Sequence, residues 1–526
     1  MKRILAMLMA VMMLLGCSAA FAEDKPTISY WAFWCGSLNE GSYVENFVEE
    51  NLNIDVKIRK VDHNDVEAVN LMLANDMPDC GWFNKTADFM DDQELTRRIP
   101  VDMVRQYAPS LAAYMDANPL LWTICADPQD STQLRYLPDL YDSYGSVWGT
   151  CMGLRYDWIE KLGIDLGDVQ VTQVTDKLYI ADKGVSLDTF HEILDKFVNG
   201  DPDGNGVKDT EGYAWNYGDL KTAFGLLANN MEVDGKPCEW YTNPAVKELL
   251  AWLQSAYADG LIYKEIFTAN LGQLWERIAN GSIGVFQTGP IWLNSWANNR
   301  PPRTLLDQDN DEIKVLLIPG VADSTGHTYR DGNLSASSQP GDGEYFFVNA
   351  DVDDEKLATI LNFYEWCNWN TDRNVMATLW FGEEGVDWKW SDDGSKPIKL
   401  NQNVGGDRGT QVFCRDTQLG EPWQWITFEP DFEAGATFYY NGIWNADEKL
   451  PYKVDLKSET QAAAIKTEYE GDWNTTRDAY FMGVIMGEKN LDSDWDAYIE
   501  ALNKLEYGAY IEELDKAPTT ESLIEK

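Results

Sequence analysis

The sequence predicts an α/β fold with more than one domain, and three observations lead to that prediction. The chain has 526 residues, which is more than one hydrophobic core commonly supports. Near the N-terminus short β-rich runs alternate with helix-like segments, the rhythm of a parallel sheet with crossover helices. No internal repeat or long low-complexity tract replaces this pattern elsewhere.

The N-terminal elements follow one another closely. Strands are predicted at 27–34, 55–61 and 79–83, and helices from Ser42 and over 65–75. Ligands of such sheets bind beyond the carboxyl ends of the strands. This rule singles out Trp34 and Trp82, each at the end of a predicted strand.

The rest of the chain continues the same alternation. The predicted helices cover 187–198 after the N-cap Ser186, a segment from Asn243-Pro244 to Gly260, 357–366, 495–505 and a segment from about 509. The predicted strands lie near 212–216 and at 282–287, 314–318 and 345–348. The strand at 282–287 runs into a Gly-Pro loop that carries Trp292.

The N-terminus predicts export. The apolar run over 4–15 is too short for a membrane span. Together with the basic residues before it, this run is typical of a secretory signal. Two processing sites compete. LLGC, ending at Cys17, resembles a lipobox and would leave a lipidated cysteine, whereas AFA, ending at Ala22, resembles a signal peptidase site and would release a soluble chain.

Charge and cysteine usage exclude several classes of function. The formal net charge of −45 repels nucleic acid and anionic membranes. The eight cysteines contain no CxxC pair, so a zinc cage is not indicated. We interpret them as small buried residues, with one or two disulfides left open because the chain is exported.

Residues 201–212, DPDGNGVKDTEG, have the spacing of a calcium loop. The predicted ligands are the side chains of Asp201, Asp203, Asn205 and Asp209 and the carbonyl of Val207. An EF-hand has a bidentate Glu at its twelfth position, where this chain has Gly212, so Glu211 or a more distant group would complete the shell. A lone loop has no paired hand to open, so a structural Ca²⁺ is predicted; a turn without an ion is the alternative.

Catalytic signatures are absent from the sequence. The three histidines at 63, 191 and 327 are isolated, and no GxSxG, HExxH or P-loop motif occurs. The many carboxylates leave a glycosidase open, although the adjacent Glu383 and Glu384 would tend to point apart.

Aromatic residues provide the positive signal for binding. The chain has 22 Trp and 25 Tyr, most of which are expected to fill cores. Trp34, Trp82, Trp215 and Trp292 differ because each lies at or just past a predicted strand end. Aromatic faces with a few polar groups suit the apolar faces of sugar rings, so these four are candidate ligand contacts.

Several motifs occur in a fixed order: MPDCGWF, RYDWIEKLGID, DPDGNGVKDTEG, NGSIGVFQTGPIW, FGEEGVDW and WDAYIEALNKL. In this order they resemble the extracellular solute-binding proteins of ABC importers, in the group that carries oligosaccharides and includes the larger calcium-loop members such as alginate-binding proteins. The resemblance implies a two-lobed, periplasmic-binding-protein-like (type II) α/β fold with a ligand cleft between the lobes. It implies a first lobe of 23–150 plus about 300–350, and a second of 151–299 plus about 351–526.

The resemblance also bears on individual residues. Trp292 falls in a Gly-Pro-Trp-like loop whose Trp stacks on sugar in the family, and Trp82 is similar to the family's aromatic after Pro-Asp. Arg155 and Glu384 fall in family motifs, and each is a candidate ligand contact or a structural ion pair or cap.

The resemblance implies a monomeric binding protein and not an enzyme. It would capture a carbohydrate of oligosaccharide size outside the cytoplasm and deliver it to an ABC permease in the membrane. Two alternatives stay open: an oligopeptide or amino-sugar binder of the same fold, and a secreted glycoside hydrolase.

Overall fold

The computed structural model describes residues 25–32, 39–63, 65–83, 87–138, 151–214, 217–226, 230–293, 297–326, 345–401, 407–410, 412–414, 453, 461–519 and 522. The predicted signal segment 1–22, Cys17, Trp34 and Trp215 lie outside these residues. Across the described ranges, no helix combines the length and the apolar character needed to cross a bilayer.

The strands are short. They are β1 Thr27–Trp31, β2 Asp55–Arg59, β3 Cys80–Phe83, β4 Ile99–Pro100, β5 Ala126–Asp127, β6 Asp130–Leu134, β7 Leu137–Pro138, β8 Cys151–Arg155, β9 Val171–Gln173, β10 Leu178–Ala181, β11 Glu211–Tyr213, β12 Asn230–Val233, β13 Lys236–Glu239, β14 Ile283–Thr288, β15 Val315–Ile318, β16 Tyr345–Val348, β17 Trp388–Trp390 and β18 Pro397–Lys399.

The helices alternate with the strands over much of the chain. They are α1 Tyr43–Leu52, α2 Val66–Asn75, α3 Ala87–Asp92, α4 Val101–Tyr107, α5 Pro109–Ala117, α6 Leu120–Cys125, α7 Tyr156–Leu162, α8 Leu187–Asn199, α9 Val246–Ala258, α10 Leu271–Ala279, α11 Arg303–Leu306, α12 Asp354–Asn368, α13 Arg373–Phe381, α14 Ala462–Ile485, α15 Trp495–Asn503 and α16 Tyr507–Lys516. Short 3-10 helices cover Tyr217–Phe224, Trp240–Thr242 and Pro290–Leu293.

The chain divides into two compact units. Unit 1 comprises Met1–Ala113, Phe346–Lys389 and Lys399–Arg415, and unit 2 comprises Tyr114–Tyr345, Trp390–Ile398 and Asp416–Lys526. The resemblance implied a second lobe that includes about 351–526, whereas Phe346–Lys389 and Lys399–Arg415 belong to compact unit 1. The lobes as ligand-enclosing bodies stay a prediction.

Unit 1 contains the parallel pattern that the sequence predicts. Strand β1 pairs in parallel with both β2 and β3, and β16 lies beside β3. Helix α1 connects β1 to β2 and starts at a capping box in which Ser42 and Glu45 exchange hydrogen bonds. Helix α2 connects β2 to β3 and starts at the N-cap Asp65. The predicted β-α-β-α-β order is therefore confirmed here.

Unit 2 contains a mixed sheet with the strand order β11-β14-β8-β15-β10-β9. Strand β8 is antiparallel to both β14 and β15, whereas β11 and β14 are parallel, as are β10 and β15. Helix α8 begins after the N-cap Ser186 and buries one face through five apolar residues, as predicted. The mixed pairing was not predicted, because periodicity identifies a strand but not the direction of its neighbours.

The cysteines that the structure describes are not cross-linked. Cys80, Cys125, Cys151, Cys238, Cys367 and Cys414 are free, and all except Cys238 are buried. Burial raises the pKa of the Cys80 and Cys367 thiols well above the usual range, which keeps them protonated and unreactive.

Candidate functional site

Two tryptophans and an arginine form a cluster in unit 2, which we call the indole cluster and define as Trp275, Trp292 and Arg300. The ring centroids of Trp275 and Trp292 are 6.1 Å apart with an interplanar angle of 75°. The Arg300 Cζ lies 5.2 Å from the Trp275 ring centroid and 5.7 Å from that of Trp292. Both distances lie within the range of cation–π contact, so the guanidinium covers a face of each indole.

Secondary structure brings these three residues together. Trp275 lies on α10, which begins at a capping box formed by Asn270 and Gln273 and ends just before β14. Strand β14 is followed by the turn Pro290–Leu293, which carries Trp292. The Oγ1 of Thr288, at the end of β14, donates to the carbonyl of Pro301 at 2.9 Å. This bond holds the segment carrying Arg300 against the end of the strand.

Three buried polar atoms of this region have no hydrogen-bond partner in the described part of the chain. They are the Nε1 of Trp275, the Nε of Arg300 and the Oγ1 of Thr304. Thr304 lies one helical turn after Arg300, and its N–H donates to the Arg300 carbonyl at 3.0 Å. A buried polar group without a partner costs about 1–3 kcal/mol, so a site with several such groups is suited to a polar ligand or to water. All three residues are only half-buried as a whole, so the region is near the surface of unit 2.

The sequence analysis identified only one member of the indole cluster, Trp292. Trp275 was missed because a tryptophan on an amphipathic helix normally packs into a core. Its nearness to the Trp292 loop was the available signal, since α10 leads directly into the strand before that loop. Arg300 carried no signal, because its contacts depend on how the segment after Trp292 folds back.

Trp82 lies in the core of unit 1. Its side chain is 1% exposed, and its ring contacts Phe346 at 5.3 Å and Tyr364 at 5.9 Å between centroids. Position at a strand end therefore did not distinguish a packing residue from a ligand contact. A role for Trp82 in ligand binding stays a prediction, and the burial of its side chain favours packing.

Arg155 forms an internal ion pair in unit 2. Its Nε and Nη2 donate to the two carboxylate oxygens of Asp157 at 2.8 Å and 2.6 Å, and its Cζ lies 4.6 Å from the Trp158 ring centroid. The residue is 8% exposed. This bidentate geometry satisfies the guanidinium and favours the structural interpretation over ligand contact.

Glu384 lies in the turn between α13 and β17. Its side chain is exposed, and its backbone forms an isolated bridge with Trp388. The neighbouring Glu383 pairs with Arg408 at 3.1 Å. Glu384 is thus on the surface of unit 1, and its predicted contact with ligand stays a prediction.

The loop 201–212 has the turn geometry of a calcium loop in part. Gly206 has a φ of +78°, and its N–H donates to the carboxylate oxygens of Asp201 at 3.1 Å and 3.3 Å. The Asn205 Nδ2 donates to Asp203 at 2.7 Å and to both oxygens of Asp209 at 3.2 Å. One amide thus gathers the two carboxylates into one small region.

The donor set of this loop fits a hard cation. All of the predicted side-chain ligands are carboxylates or an amide, the oxygen donors that Ca²⁺ prefers. Val207 is 56% exposed, so its carbonyl lies on the surface part of the loop. Within the described ranges, however, no three His, Cys, Asp or Glu side chains are grouped closely enough to hold a metal. The fit therefore rests on the donors and the turn, and not on a preformed cage.

The twelfth position of the loop cannot carry the glutamate of an EF-hand. Gly212 lies in β11, and a Cβ placed there would be 1.8 Å from the carbonyl oxygen of Leu261. Glu211, the substitute that the sequence suggested, instead forms an ion pair with Arg277. Further oxygens would have to come from water or from another segment.

The comparisons with known proteins identify the family. The family model described as "Bacterial extracellular solute-binding protein" matches residues 42–381. The fructooligosaccharide ABC transporter substrate-binding protein FusA of Streptococcus pneumoniae is 24% identical over 447 residues, which cover 78% of this chain and 74% of FusA. The lipoprotein LipO of Bacillus subtilis is 26% identical over 147 residues, which cover 26% of each chain.

Solved structures show the same fold. The alginate-binding protein AlgQ2 without calcium ion has a TM-score of 0.63 at 18% identity, covering 95% of this chain and 99% of that one. An HMO-binding solute-binding protein of Bifidobacterium longum infantis, associated with an ABC transporter, has a TM-score of 0.66 at 14% identity. The match covers 94% of this chain and 98% of that one. At these identities the likeness concerns the fold alone. Because the family model spans most of the chain, this protein belongs to the bacterial extracellular solute-binding proteins, and the predicted α/β solute-binding fold is confirmed.

Proposed function

We propose that this protein captures an oligosaccharide outside the cytoplasm, as a monomer, and delivers it to the permease of an ABC importer. Membership of the extracellular solute-binding family supports this proposal, and so does the relative FusA, a fructooligosaccharide ABC transporter substrate-binding protein. The observation that carries it is the indole cluster, where two tryptophan rings and a guanidinium meet near the surface of unit 2, and where Trp275 Nε1 and Arg300 Nε are buried with no partner among the described residues.

The chemistry of the indole cluster suits a sugar ring. A pyranose or furanose has an apolar C–H face, which can lie on an indole, and a rim of hydroxyls, which need hydrogen-bond partners. Trp275 Nε1 can donate to a hydroxyl, and Thr304 Oγ1 can donate or accept. A ligand that met these groups would remove the cost of burying them alone. Trp34 and Trp215 stay proposed as further aromatic contacts.

Substitution of Trp292 tests the proposal directly. We expect Trp292→Ala to weaken oligosaccharide binding by about tenfold, because the stacking face is removed while the backbone of the turn remains. The measurement is isothermal titration calorimetry of the exported chain, in the presence of calcium, against neutral oligosaccharides, uronic-acid oligomers and short peptides.

A matched control separates stacking from a general loss of stability. Trp122 is another half-buried tryptophan of unit 2, and its indole N–H donates to Asp116 at 3.0 Å. Trp122→Ala should leave sugar affinity unchanged. Equal affinity of the Trp292→Ala variant and the parent would remove Trp292 from the site. Binding of peptides alone would withdraw the carbohydrate assignment, and recovery of cleaved sugar would identify a hydrolase.

We propose that the loop 201–212 holds a structural Ca²⁺. Asp201, Asp203, Asn205 and Asp209 would contribute side-chain oxygens and Val207 its carbonyl. Calcium would neutralise the like charges that the loop concentrates and would tie the end of α8 to the start of β11. Two solved structures of similar fold, AlgQ2 without calcium ion and a FusA EF-hand mutant, support calcium binding in relatives.

Thermal unfolding tests the calcium proposal. Calcium at a hundred times its Kd should stabilise the parent by about 2.7 kcal/mol relative to the chelated protein. Asp203→Ala should lose most of this calcium-dependent rise in Tm. Asp130→Ala is the control, because Asp130, at the start of β6, is also an exposed aspartate that accepts from the Thr132 N–H at 3.0 Å. An equal calcium response in the parent and the Asp203→Ala variant would remove the ion from this loop.

The export route is proposed to end with cleavage after Ala22. Strand β1 begins at Thr27, so a lipid on Cys17 would leave a short tether between the membrane and the fold. Intact-mass measurement of the protein from its host would decide between a chain that starts at Glu23 and a diacylated chain that starts at Cys17.

A further inference from the structure

Arg300 differs from most arginines of this chain in its electrostatic environment. The chain has 87 acidic and 42 basic residues, so a carboxylate partner is easily found for a cation. Eight other described arginines have one, namely Arg59, Arg97, Arg98, Arg155, Arg277, Arg303, Arg408 and Arg477. Within the described residues Arg300 pairs with no carboxylate and rests on the two indoles instead.

The position of Arg300 in the chain makes this difference informative. Arg303, three residues later, forms an ion pair with Asp307 on the same turn of helix. Arg277, on the helix that carries Trp275, pairs with Glu211. Both neighbouring cations are therefore paired with carboxylates, whereas none of the residues that the structure describes pairs in this way with the guanidinium on the indole cluster. The Nε of Arg300 is also buried, and no acceptor for it occurs among the described residues.

A buried guanidinium nitrogen that finds no acceptor in the described part of the chain is costly to maintain. Its five N–H groups lie in one plane and match the two oxygens of a carboxylate in a bidentate arrangement. Cation–π contact with two rings offsets part of the lost hydration but provides no hydrogen-bond acceptor for Nε. A ligand carboxylate would supply that acceptor in the geometry that arginine prefers.

We propose that the oligosaccharide captured by this protein is acidic, and that its carboxylate pairs with Arg300 while the sugar ring lies against the indoles of Trp275 and Trp292. This inference rests on the proposed function and adds the substrate class to it. The ring and its carboxylate are covalently adjacent in a uronic acid, as the indole faces and the guanidinium are adjacent in the cluster.

The acidic surface of the protein does not oppose this assignment at contact distance. A net charge of −45 repels an anion at long range, but salt screens exposed charges beyond a Debye length of about 8 Å at physiological ionic strength. Arg300 supplies the positive charge of the indole cluster itself, 5.2 Å and 5.7 Å from the two ring centroids. Long-range repulsion should therefore slow association and leave the selectivity of the bound state to the local contact.

Matched pairs of sugars test the inference. Each pair consists of a uronic-acid oligomer and its carboxyl-reduced neutral counterpart, and the panel covers galacturonate, mannuronate and glucuronate oligomers. The Kd of each sugar is measured by calorimetry on the full exported chain with calcium. For at least one pair we expect the acidic form to bind about tenfold to a hundredfold more tightly, the range for a hydrogen-bonded charge pair.

The variants Arg300→Gln and Arg300→Lys assign that preference to the guanidinium. In Arg300→Gln the ratio of acidic to neutral affinity should fall to near one. Arg300→Lys keeps the charge but loses the bidentate fork, so an intermediate ratio is expected. Arg59→Gln is the control, because it removes the same charge from a partly exposed arginine of unit 1 that pairs with Asp76. The control should keep the ratio of the parent.

The outcomes separate this inference from the proposed function. Equal affinity for both members of every pair, or a preference for the neutral form, would overturn the inference and leave oligosaccharide capture intact. An acidic preference that survives in Arg300→Gln would also overturn it. If Arg300→Gln does not fold, the Arg300→Lys ratio decides in the same way. Absence of binding by any sugar in either form would reject the proposed function and this inference with it.

Discussion

Gly212 shows at the scale of one residue why the calcium loop departs from an EF-hand. The strand β11 begins at Glu211, so the twelfth position of the loop is already part of the sheet. The backbone of Leu261 passes close beside Gly212, and the N–H of Tyr213 donates to the Leu261 carbonyl at 3.0 Å. That hydrogen bond fixes the carbonyl where a side chain at position 212 would have to be.

Gly212→Ala should therefore destabilise the protein by about 1–3 kcal/mol, the usual cost of overpacking a filled site. The carbonyl of Leu261 cannot retreat from the new Cβ without weakening its bond to Tyr213. The free energy of unfolding is measured by urea denaturation monitored by circular dichroism.

Gly471→Ala provides the contrast for this prediction. Gly471 lies inside helix α14, and nothing lies within 4 Å of a Cβ placed there. That substitution should stabilise the helix by about 0.5–1 kcal/mol because alanine has the higher helix propensity. A Gly212→Ala variant as stable as the parent would show that β11 and Leu261 can separate, and would reopen position twelve as a source of a ligand.

Residue identity alone predicted the candidate site incompletely. The loop 201–212 was recognisable because its ligands are close in sequence, so spacing carries the information. The indole cluster joins a helix, a turn and the segment after it, and only the fold brings those together. Trp82 and Trp292 had equal sequence arguments, yet one is in a core and the other is half-buried.

At the scale of elements, prediction succeeded where a pattern is local. Helix α8 was predicted over 187–198 and spans Leu187–Asn199, because a strong apolar face and the cap Ser186 define it. Helix α14 was not predicted, since its exposed and buried residues follow no clear periodicity over its length. Its partners explain its stability: the Trp473 ring packs against Tyr510 on α16 at 5.0 Å between centroids.

The contact between β13 and the C-terminal helices contains a buried carboxyl group. Glu239, at the end of β13, is 4% exposed, and its Oε1 accepts from the Tyr510 Oη on α16 at 2.8 Å. The Nζ of Lys466, on α14, lies 4.0 Å away. Burial raises the pKa of Glu239, and the opposing effects of Lys466 and Tyr510 on that pKa are smaller.

The raised pKa makes a prediction about the pH dependence of stability. The folded state binds the Glu239 proton more tightly than the unfolded state, whose carboxyl has a pKa of about 4.3. The contribution of this group is therefore favourable at low pH and is lost as pH rises from about 4.3 through the raised pKa. Glu239→Gln keeps an acceptor for Tyr510 without the charge.

We expect the Tm of Glu239→Gln relative to the parent to rise with pH across that window and then to level off. Glu470→Gln is the control, because Glu470 is exposed and also lies near Lys466, at 3.8 Å. Thermal melts at pH 4 to 8, in steps of about one unit across the range where carboxyl groups titrate, measure the difference. A constant offset between Glu239→Gln and the parent at every pH would show that Glu239 has an ordinary pKa in the fold.

At the scale of the whole molecule, the two compact units join segments that are distant in sequence. The resemblance implied two lobes of two segments each, and unit 1 is assembled from three separate segments of the chain. Strand β16 lies beside β3 although about half of the chain separates them in sequence. Such long-range pairing leaves no local pattern, because the apolar sequence of a buried strand does not depend on which strand lies beside it.

Net charge is the remaining property of the whole chain with a measurable consequence. A formal charge of −45 on 526 residues stores self-repulsion in the compact state, and unfolding relieves it by moving the charges apart. Salt weakens this repulsion, since the Debye length falls from about 30 Å at 0.01 M to about 8 Å at 0.15 M. We expect the Tm to rise as sodium chloride increases over that range and to change little beyond it.

The melts are run with calcium fixed well above saturation, so that ion binding at the loop 201–212 does not contribute. Sucrose at matched osmolality is the control for solvent effects that do not act through charge, and it should not reproduce the rise. A Tm that stays flat or falls with salt would mean that favourable ion pairs, such as Arg97 with Asp354 and Arg155 with Asp157, outweigh the repulsion among the unpaired carboxylates.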